Sequence, residues 1–309
     1  MLHRRLSPVL FAFIGSLVLL SLTVAGCAGA SSANSGGTVL NVVAGENFWG
    51  SIASQLGGTH AAVTSIVSDP NADPHQYESN NNDARAFATA QYVILNGAGY
   101  DGWGQQLLAA NPVSGRKVLT VATLLGKHDG DNPHFWYNPS YVEQVANQIT
   151  RDYQSLDPRD STYFAAQRQN FETALTQNHE RLNEIKAKFA GEKVGATESI
   201  FVYMASYLGL DLISPPDFME AIAESNDPPA ASVVTFEQQI QQKQISVLVY
   251  NLQTVTPVTD HLKALAVAQG IPLVEVTETI QPPDVSFQDW QVAQLLELQN
   301  ALNAPTLGQ

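Results

Sequence analysis

Behind Pro158 the chain runs to Ala190 without a glycine or a proline, with Asp157 in front and Gly191 directly after. Asp157 reads as an N-cap, Pro158 as a first helical residue and Gly191 as a stop, so the pattern predicts one long helix over 158–190. About 32 residues at 1.5 Å each make a rod of roughly 48 Å. Its charged, glutamine-rich face places it at the surface, so it divides whatever lies on either side into two bodies and stiffly connects them.

Both sides carry the same pattern. Before the rod, β-branched or alternating stretches predict strands over 38–44, 62–67, 92–96 and 117–121. Helical stretches alternate with them over 48–56, 83–90 and 102–110, and another runs over 140–156. After the rod, strands are predicted over 193–196, 246–250 and 272–276, with helices over 200–208, 232–242, 257–269 and 287–301. Strand–helix alternation in each half predicts an α/β fold: two lobes, each with a largely parallel sheet, and a ligand cleft between them.

The first residues are of another kind. His3, Arg4 and Arg5 precede an apolar run from Val9 to Val24, and small residues lead to Cys27. This is a secretory leader rather than part of the fold. Val24, Ala25, Gly26 and Cys27 satisfy a bacterial lipoprotein signature, with Cys27 the lipidated first residue of the mature chain. Cys27 is the sole cysteine of the 309 residues, which excludes an intrachain disulfide. An uncleaved membrane helix is the plainer alternative, since roughly 20 apolar residues span a bilayer. The organisation expected is a leader over 1–26, a small polar tether over 27–37, a first lobe over 38–157, the connecting helix over 158–190 and a second lobe over 191–309. The formal charge is −14, and loss of Arg4 and Arg5 makes it more negative by two. That balance argues against nucleic acid as a partner and suits a protein that collects cations.

The chemistry gathers just beyond the strands. DPNADPHQYE follows the second strand and carries His75 after Asp73 and Pro74, and DNPHFWYNP follows the fourth strand and carries His134 after Pro133. In the second half, the strand at 193–196 runs into Thr197 and Glu198, and that at 272–276 into Thr277 and Glu278. Carboxyl ends of parallel strands are where open α/β sheets bind ligands, so two imidazoles and two carboxylates could converge in the cleft. Such a set suits a divalent cation, and two glutamates cancel its charge. Taken singly, each residue has a plainer reading: a solvated loop histidine, a helix N-terminal acid, a surface acid. The prolines beside His75 and His134 stiffen both loops, as a preformed ligand site requires. His60, His128, His179 and His261 show no partner at metal spacing and read as surface residues. His128 with Asp129 and Asp131 could form a loose accessory metal loop. Glu46 lines the cleft or caps a helix, and Trp136 and Tyr137 roof the cleft or belong to the core.

These segments together resemble a known family, the solute-binding lipoproteins of zinc and manganese ABC transporters, some of them described as adhesins. The likeness spans the mature chain and is carried by the Cys27 lipobox, ENFWGSIASQLGG, DPNADPHQYE, DARAFATAQYVILNGAGYD, DNPHFWYNP, the long helix, ATESIFVYMASYLGL and GIPLVEVTETI. The resemblance implies ligands at His75 and His134, a third at Glu198 where many zinc carriers have histidine, and a fourth at Glu278 where aspartate is usual. The long His- and Asp-rich loop of many zinc carriers is reduced here to GKHDGD. Both departures lean towards manganese or a broad-specificity site.

The function expected is therefore capture of one Zn2+ or Mn2+ as cargo by a lipid-anchored monomer on the outer face of the cytoplasmic membrane. Delivery to a membrane ABC permease follows, without catalysis. A secreted zinc hydrolase, a haem or siderophore carrier of similar architecture and an adhesin with a structural metal are the competing readings; no HExxH element supports the first.

Overall fold

The computed structural model describes residues 39–71 and 74–304. The expected leader, Cys27, the tether and Asp73 lie outside the described residues.

The first half runs β1 (Leu40–Glu46), α1 (Asn47–Gly57), β2 (Ala61–Val67), α2 (Asn81–Thr89), β3 (Tyr92–Leu95), α3 (Gly102–Ala110), β4 (Lys117–Thr120), the single turn α4 (Val121–Leu124) and α5 (Pro139–Leu156). Its strands form one sheet in the order β2-β1-β3-β4, with every pair parallel. After α6 (Ser161–Ala174) and α7 (Thr176–Phe189), the second half runs β5 (Lys193–Ala196), α8 (Val202–Leu208), β6 (Asp211–Leu212), α9 (Pro216–Ala223), α10 (Ala230–Gln241), β7 (Leu248–Asn251), α11 (Pro257–Ala268), β8 (Leu273–Val276) and α12 (Phe287–Asn303). Its sheet is also wholly parallel, in the order β6-β5-β7-β8. Two parallel-sheet α/β lobes are thus present. β6, α9 and α4 stand where the sequence predicted no element.

Local chemistry sets several of these boundaries. Asn80 and Asp83 form a reciprocal capping box at the start of α2, with Asn82 N–H donating to Asn80 Oδ1 at 2.8 Å and Asn80 N–H to Asp83 Oδ2 at 2.7 Å. Asn138 caps α5 by accepting from Ser140 N at 3.0 Å and Tyr141 N at 3.3 Å, and Pro139 occupies the first turn where its missing N–H costs nothing. That cap ends the loop that carries His134.

The expected single rod is two helices that meet at Leu175, preceded by a 3-10 turn over Pro158–Asp160. Thr176 Oγ1 donates to Thr173 O at 2.7 Å and Thr173 Oγ1 to Gln169 O at 3.0 Å. Leu175 keeps right-handed helical backbone angles, and the ladder runs on through it, Leu175 N–H donating to Phe171 O at 3.0 Å and His179 N–H to Leu175 O at 2.9 Å. Leu175 itself is buried. α6 packs on α1 and α5, whereas α7 packs on α8 and α12, so each helix lies against its own lobe.

One apolar core runs through both halves, joining Phe48, Trp49 and Trp136 of the first to Phe201, Leu248 and Trp290 of the second. Phe48 stacks on Trp136 at 3.9 Å between ring centroids. Full burial of side chains this large contributes roughly 1.5–3 kcal/mol each. Trp136 and Tyr137 are core residues, each about 1 % exposed. A smaller cluster of Val43, Phe87, Ala90, Val93 and Leu95 fills the other face of the first sheet. Among the described residues no helix is long and apolar enough to cross a membrane.

Candidate metal centre

His75 sits in the 3-10 turn Pro74–Gln76 beyond β2, and His134 directly precedes the 3-10 turn Phe135–Tyr137 beyond β4. Glu198 follows β5 by two residues and Glu278 follows β8 by two. All four therefore lie past the carboxyl ends of parallel strands, two from each lobe. The fold brings them together: one donor atom from each lies within 4.8 Å of all the others. His134 Nε2 is 3.5 Å from Glu198 Oε1 and 3.4 Å from Glu278 Oε1, and His75 Nε2 is 3.6 Å from Glu278 Oε1. The side chains of His134, Glu198 and Glu278 are fully buried, and only His75 keeps solvent contact, at 18 %.

Supporting residues aim these atoms. Asn132 Oδ1 accepts from His134 N–H at 3.0 Å and lies 2.7 Å from His134 Nδ1, while Asn132 Nδ2 donates to Ser199 O at 2.7 Å in the other lobe. An amide oxygen at Nδ1 calls for a proton there, which leaves Nε2 as the lone-pair nitrogen directed at the centre. Asn251, at the end of β7, donates through Nδ2 to Glu198 Oε2 at 2.7 Å and to Glu278 Oε1 at 2.9 Å. The backbone N–H groups of Glu278 and Thr279 donate to Gln253 Oε1 at 2.7 and 3.0 Å.

Tyr100 comes from the opposite lobe and donates its hydroxyl to Glu278 Oε2 at 2.7 Å. The turn that presents it is unusual, since Gly97, Ala98 and Gly99 all have positive φ, at 76°, 55° and 83°. Ala98 is the strained member, because a Cβ disfavours that region. The buried Asp101 carboxylate holds the turn by accepting from Asn96 N at 2.5 Å and Gly97 N at 2.8 Å.

The electrostatics divide the two glutamates. Burial pushes Glu198 up to about 8, and the negative charge of Glu278 adds to the effect. Burial opposes ionisation of Glu278 too, but the positive charges of His134 and His75 in their protonated form outweigh it and hold its carboxyl well below the ordinary range, a charge that a bound cation would supply in their place. Two buried carboxylates at this spacing cannot both ionise cheaply without a cation between them. Glu198 Oε1 also accepts no hydrogen bond among the described residues, and it is one of the atoms facing the centre.

The other singled-out residues resolve differently. Glu46 supplies no cap to α1; it is buried beside Asp101, where desolvation and that neighbour's charge push its carboxyl well up. His60 has Asp160 at 2.7 Å and the exposed His261 has Glu237 at 3.0 Å, single pairs that belong to no cluster of metal-ligand type among the described residues. His179, read as partnerless at metal spacing, has Glu172 of the same helical face two turns back at 4.0 Å and Glu143, brought from α5 by packing, at 3.6 Å. Those three form a second, more exposed group, and Arg168 already pairs with Glu172 at 2.8 Å. Asp131 Oδ2 accepts from the N–H of the exposed His128, closing that loop on itself. A cavity of about 690 Å3 opens beyond Gln76 against α10 and α11, but none of the four central donors lines it. Asn132, Asn251, Tyr100 and Asp101 went unread in the sequence. For Asn251 the same strand-end rule that picked the glutamates was the available signal.

Known proteins bear on this geometry. The model of the family described as zinc-uptake complex component A, periplasmic, matches residues 42–301. The manganese-binding lipoprotein MntA of Halalkalibacterium halodurans is 24 % identical over 216 residues, covering 67 % of this chain and 70 % of its own. The manganese ABC transporter substrate-binding lipoprotein PsaA of Streptococcus pneumoniae is 20 % identical over 257 residues, covering 78 % and 80 %. Among solved structures, a mutant manganese-bound periplasmic metal-binding protein from Candidatus Liberibacter asiaticus superposes with a TM-score of 0.72 at 16 % identity, covering 84 % of this chain and 98 % of that one. A crystal structure of ZnuA gives 0.68 at 21 % identity, covering 86 % and 100 %. With a family match across nearly all the described residues, the chain belongs to the zinc-uptake component A family of metal-binding transport proteins.

Proposed function

We propose that His75, His134, Glu198 and Glu278 together ligate one divalent transition-metal ion, held in the cleft as cargo. As a family member the chain is an extracytoplasmic solute-binding protein, which captures such an ion and delivers it to an ABC importer. The observation that carries the ligand assignment is the convergence of four donor atoms within 4.8 Å from four separate strand ends. The ion brings the positive charge that the buried carboxylates otherwise lack, so the loaded site is neutral.

The ion is zinc or manganese, and we place zinc as the tighter binder in solution. Asn251 holds the outer oxygen of Glu198 and Tyr100 that of Glu278, so each glutamate turns one oxygen inward. Two nitrogens and two oxygens suit four-coordinate zinc, which also outranks manganese at most such sites. Manganese favours more oxygen ligands, yet the relatives MntA and PsaA carry manganese in their names, so it is the competitor to test. We further propose a leader over 1–26, a lipid anchor at Cys27, a tether to residue 37, lobes over 38–157 and 191–309 about a connector over 158–190, and action as a monomer.

The test uses protein beginning after Cys27. Elemental mass spectrometry should find one equivalent of metal in the wild type and none in His75→Ala after dialysis, and zinc should displace manganese in competition. Retention of a full equivalent by both His75→Ala and His134→Ala would remove the site.

A further inference from the structure

Three of the four donors have no solvent contact, so an ion reaches them past His75. His75 lines a cavity of about 450 Å3 that lies between the lobes, with Tyr100 and Pro133 on one side and Ser199 and Met219 on the other. Ser199 directly follows Glu198, whose buried Oε1 accepts no hydrogen bond among the described residues and lies 3.5 Å from His134 Nε2. The cavity therefore leads to the centre. At about 30 Å3 per water, an ion with six waters occupies roughly 180 Å3, and the space admits it with its hydration shell intact.

The wall of this cavity is charged in one sense. It holds Asp131, Glu220 and Glu224, and no lysine or arginine is among its lining residues. Glu220 lies on α9 and Glu224 is the C-cap of that helix, one turn further on. Like charges four residues apart on a helix disfavour it, and the helix C-terminus adds its own negative end. The arrangement thus works against α9 while concentrating negative potential over the cavity. Among the described residues no lysine, arginine or histidine makes an ion pair with Glu220 or Glu224.

We propose that this cavity is the vestibule through which a hydrated divalent cation approaches, and that Glu220 and Glu224 set its capture rate by attracting the ion and passing it to His75. The proposal rests on the ligand assignment above. A low-dielectric cleft lined by one sign of charge focuses its field and raises on-rates for an opposite ion, in a manner that salt screens.

Stopped-flow tryptophan fluorescence with zinc chloride, and separately manganese chloride, tests this on full mature protein. The double variant Glu220→Gln/Glu224→Gln should bind one equivalent, with an on-rate reduced by roughly three- to tenfold at 10 mM ionic strength and approaching the wild-type value near 1 M. The control Glu180→Gln/Asp211→Asn removes the same charge from α7 and from β6 at the amino ends of the second sheet, and should leave the on-rate within about twofold. An unchanged on-rate in the first variant, or an equal loss in the control, overturns the vestibule. Absence of stoichiometric binding by the wild type would overturn the ligand assignment instead, and is read separately by elemental analysis.

Discussion

Tyr100, in the first lobe, donates its hydroxyl to Glu278, in the second, at 2.7 Å. The bond crosses the cleft and fixes which oxygen of Glu278 faces the centre. Tyr100→Phe deletes a hydrogen bond to a charged group, worth about 1.5–3 kcal/mol, and of the Tyr100 and Asn251 donors leaves only Asn251 to hold the carboxylate, through Oε1. Metal affinity should fall by roughly 10- to 100-fold, as for other residues that orient a ligand. Competition against a chromophoric chelator measures it, and an unchanged dissociation constant would show that Glu278 needs no such orienting.

Metal should stabilise the fold through mass action. At free ion about 100 times the dissociation constant, ligation adds about 2.7 kcal/mol to unfolding. Calorimetry of the wild type with and without zinc should show this as a rise in Tm that His134→Ala loses. An equal rise in the variant would point to binding elsewhere.

Acid should release the ion. Glu198 is pushed up to about 8, so without metal it keeps its proton into the neutral range. A protonated imidazole has no lone pair left for a metal. Metal ligation requires both groups deprotonated, so binding expels protons and affinity rises with pH. Titrations from pH 8 to pH 5 should show affinity falling throughout and more steeply at the acid end. A flat profile would exclude these ligands.

Asn251→Ala should damage the metal-free protein. Its Nδ2 group donates to both buried glutamates, and its loss leaves two carboxylates facing each other with one partner fewer apiece. The penalty for each unsatisfied buried group is about 1–3 kcal/mol. Urea unfolding should therefore show a clear loss of stability without metal, reduced when zinc is added. Equal losses in both conditions would mean that Asn251 serves packing alone.

The two halves were legible because strand-end placement follows from a short periodic pattern, which left His75, His134, Glu198 and Glu278 able to meet, and the family resemblance singled the four out as a set. Two-residue β6 is too short to alternate, and the break between α6 and α7 at Leu175 carries no glycine or proline to announce it. Tyr100 and Asn132 are ordinary loop residues until the lobes are assembled, since each makes its partner across the cleft. Asp101 is legible only once the turn of left-handed residues before it is known.

The shared apolar core limits how the cargo can leave. A jaw-like swing that uncovered Phe135, Tyr137 and Trp290 would cost roughly 5–9 kcal/mol, comparable to the entire folding stability of many proteins. Small displacements of the loops beyond the strands cost far less, and the His75 turn is the part of the centre that already meets solvent. A wide swing of the lobes is therefore an expensive way to present the ion.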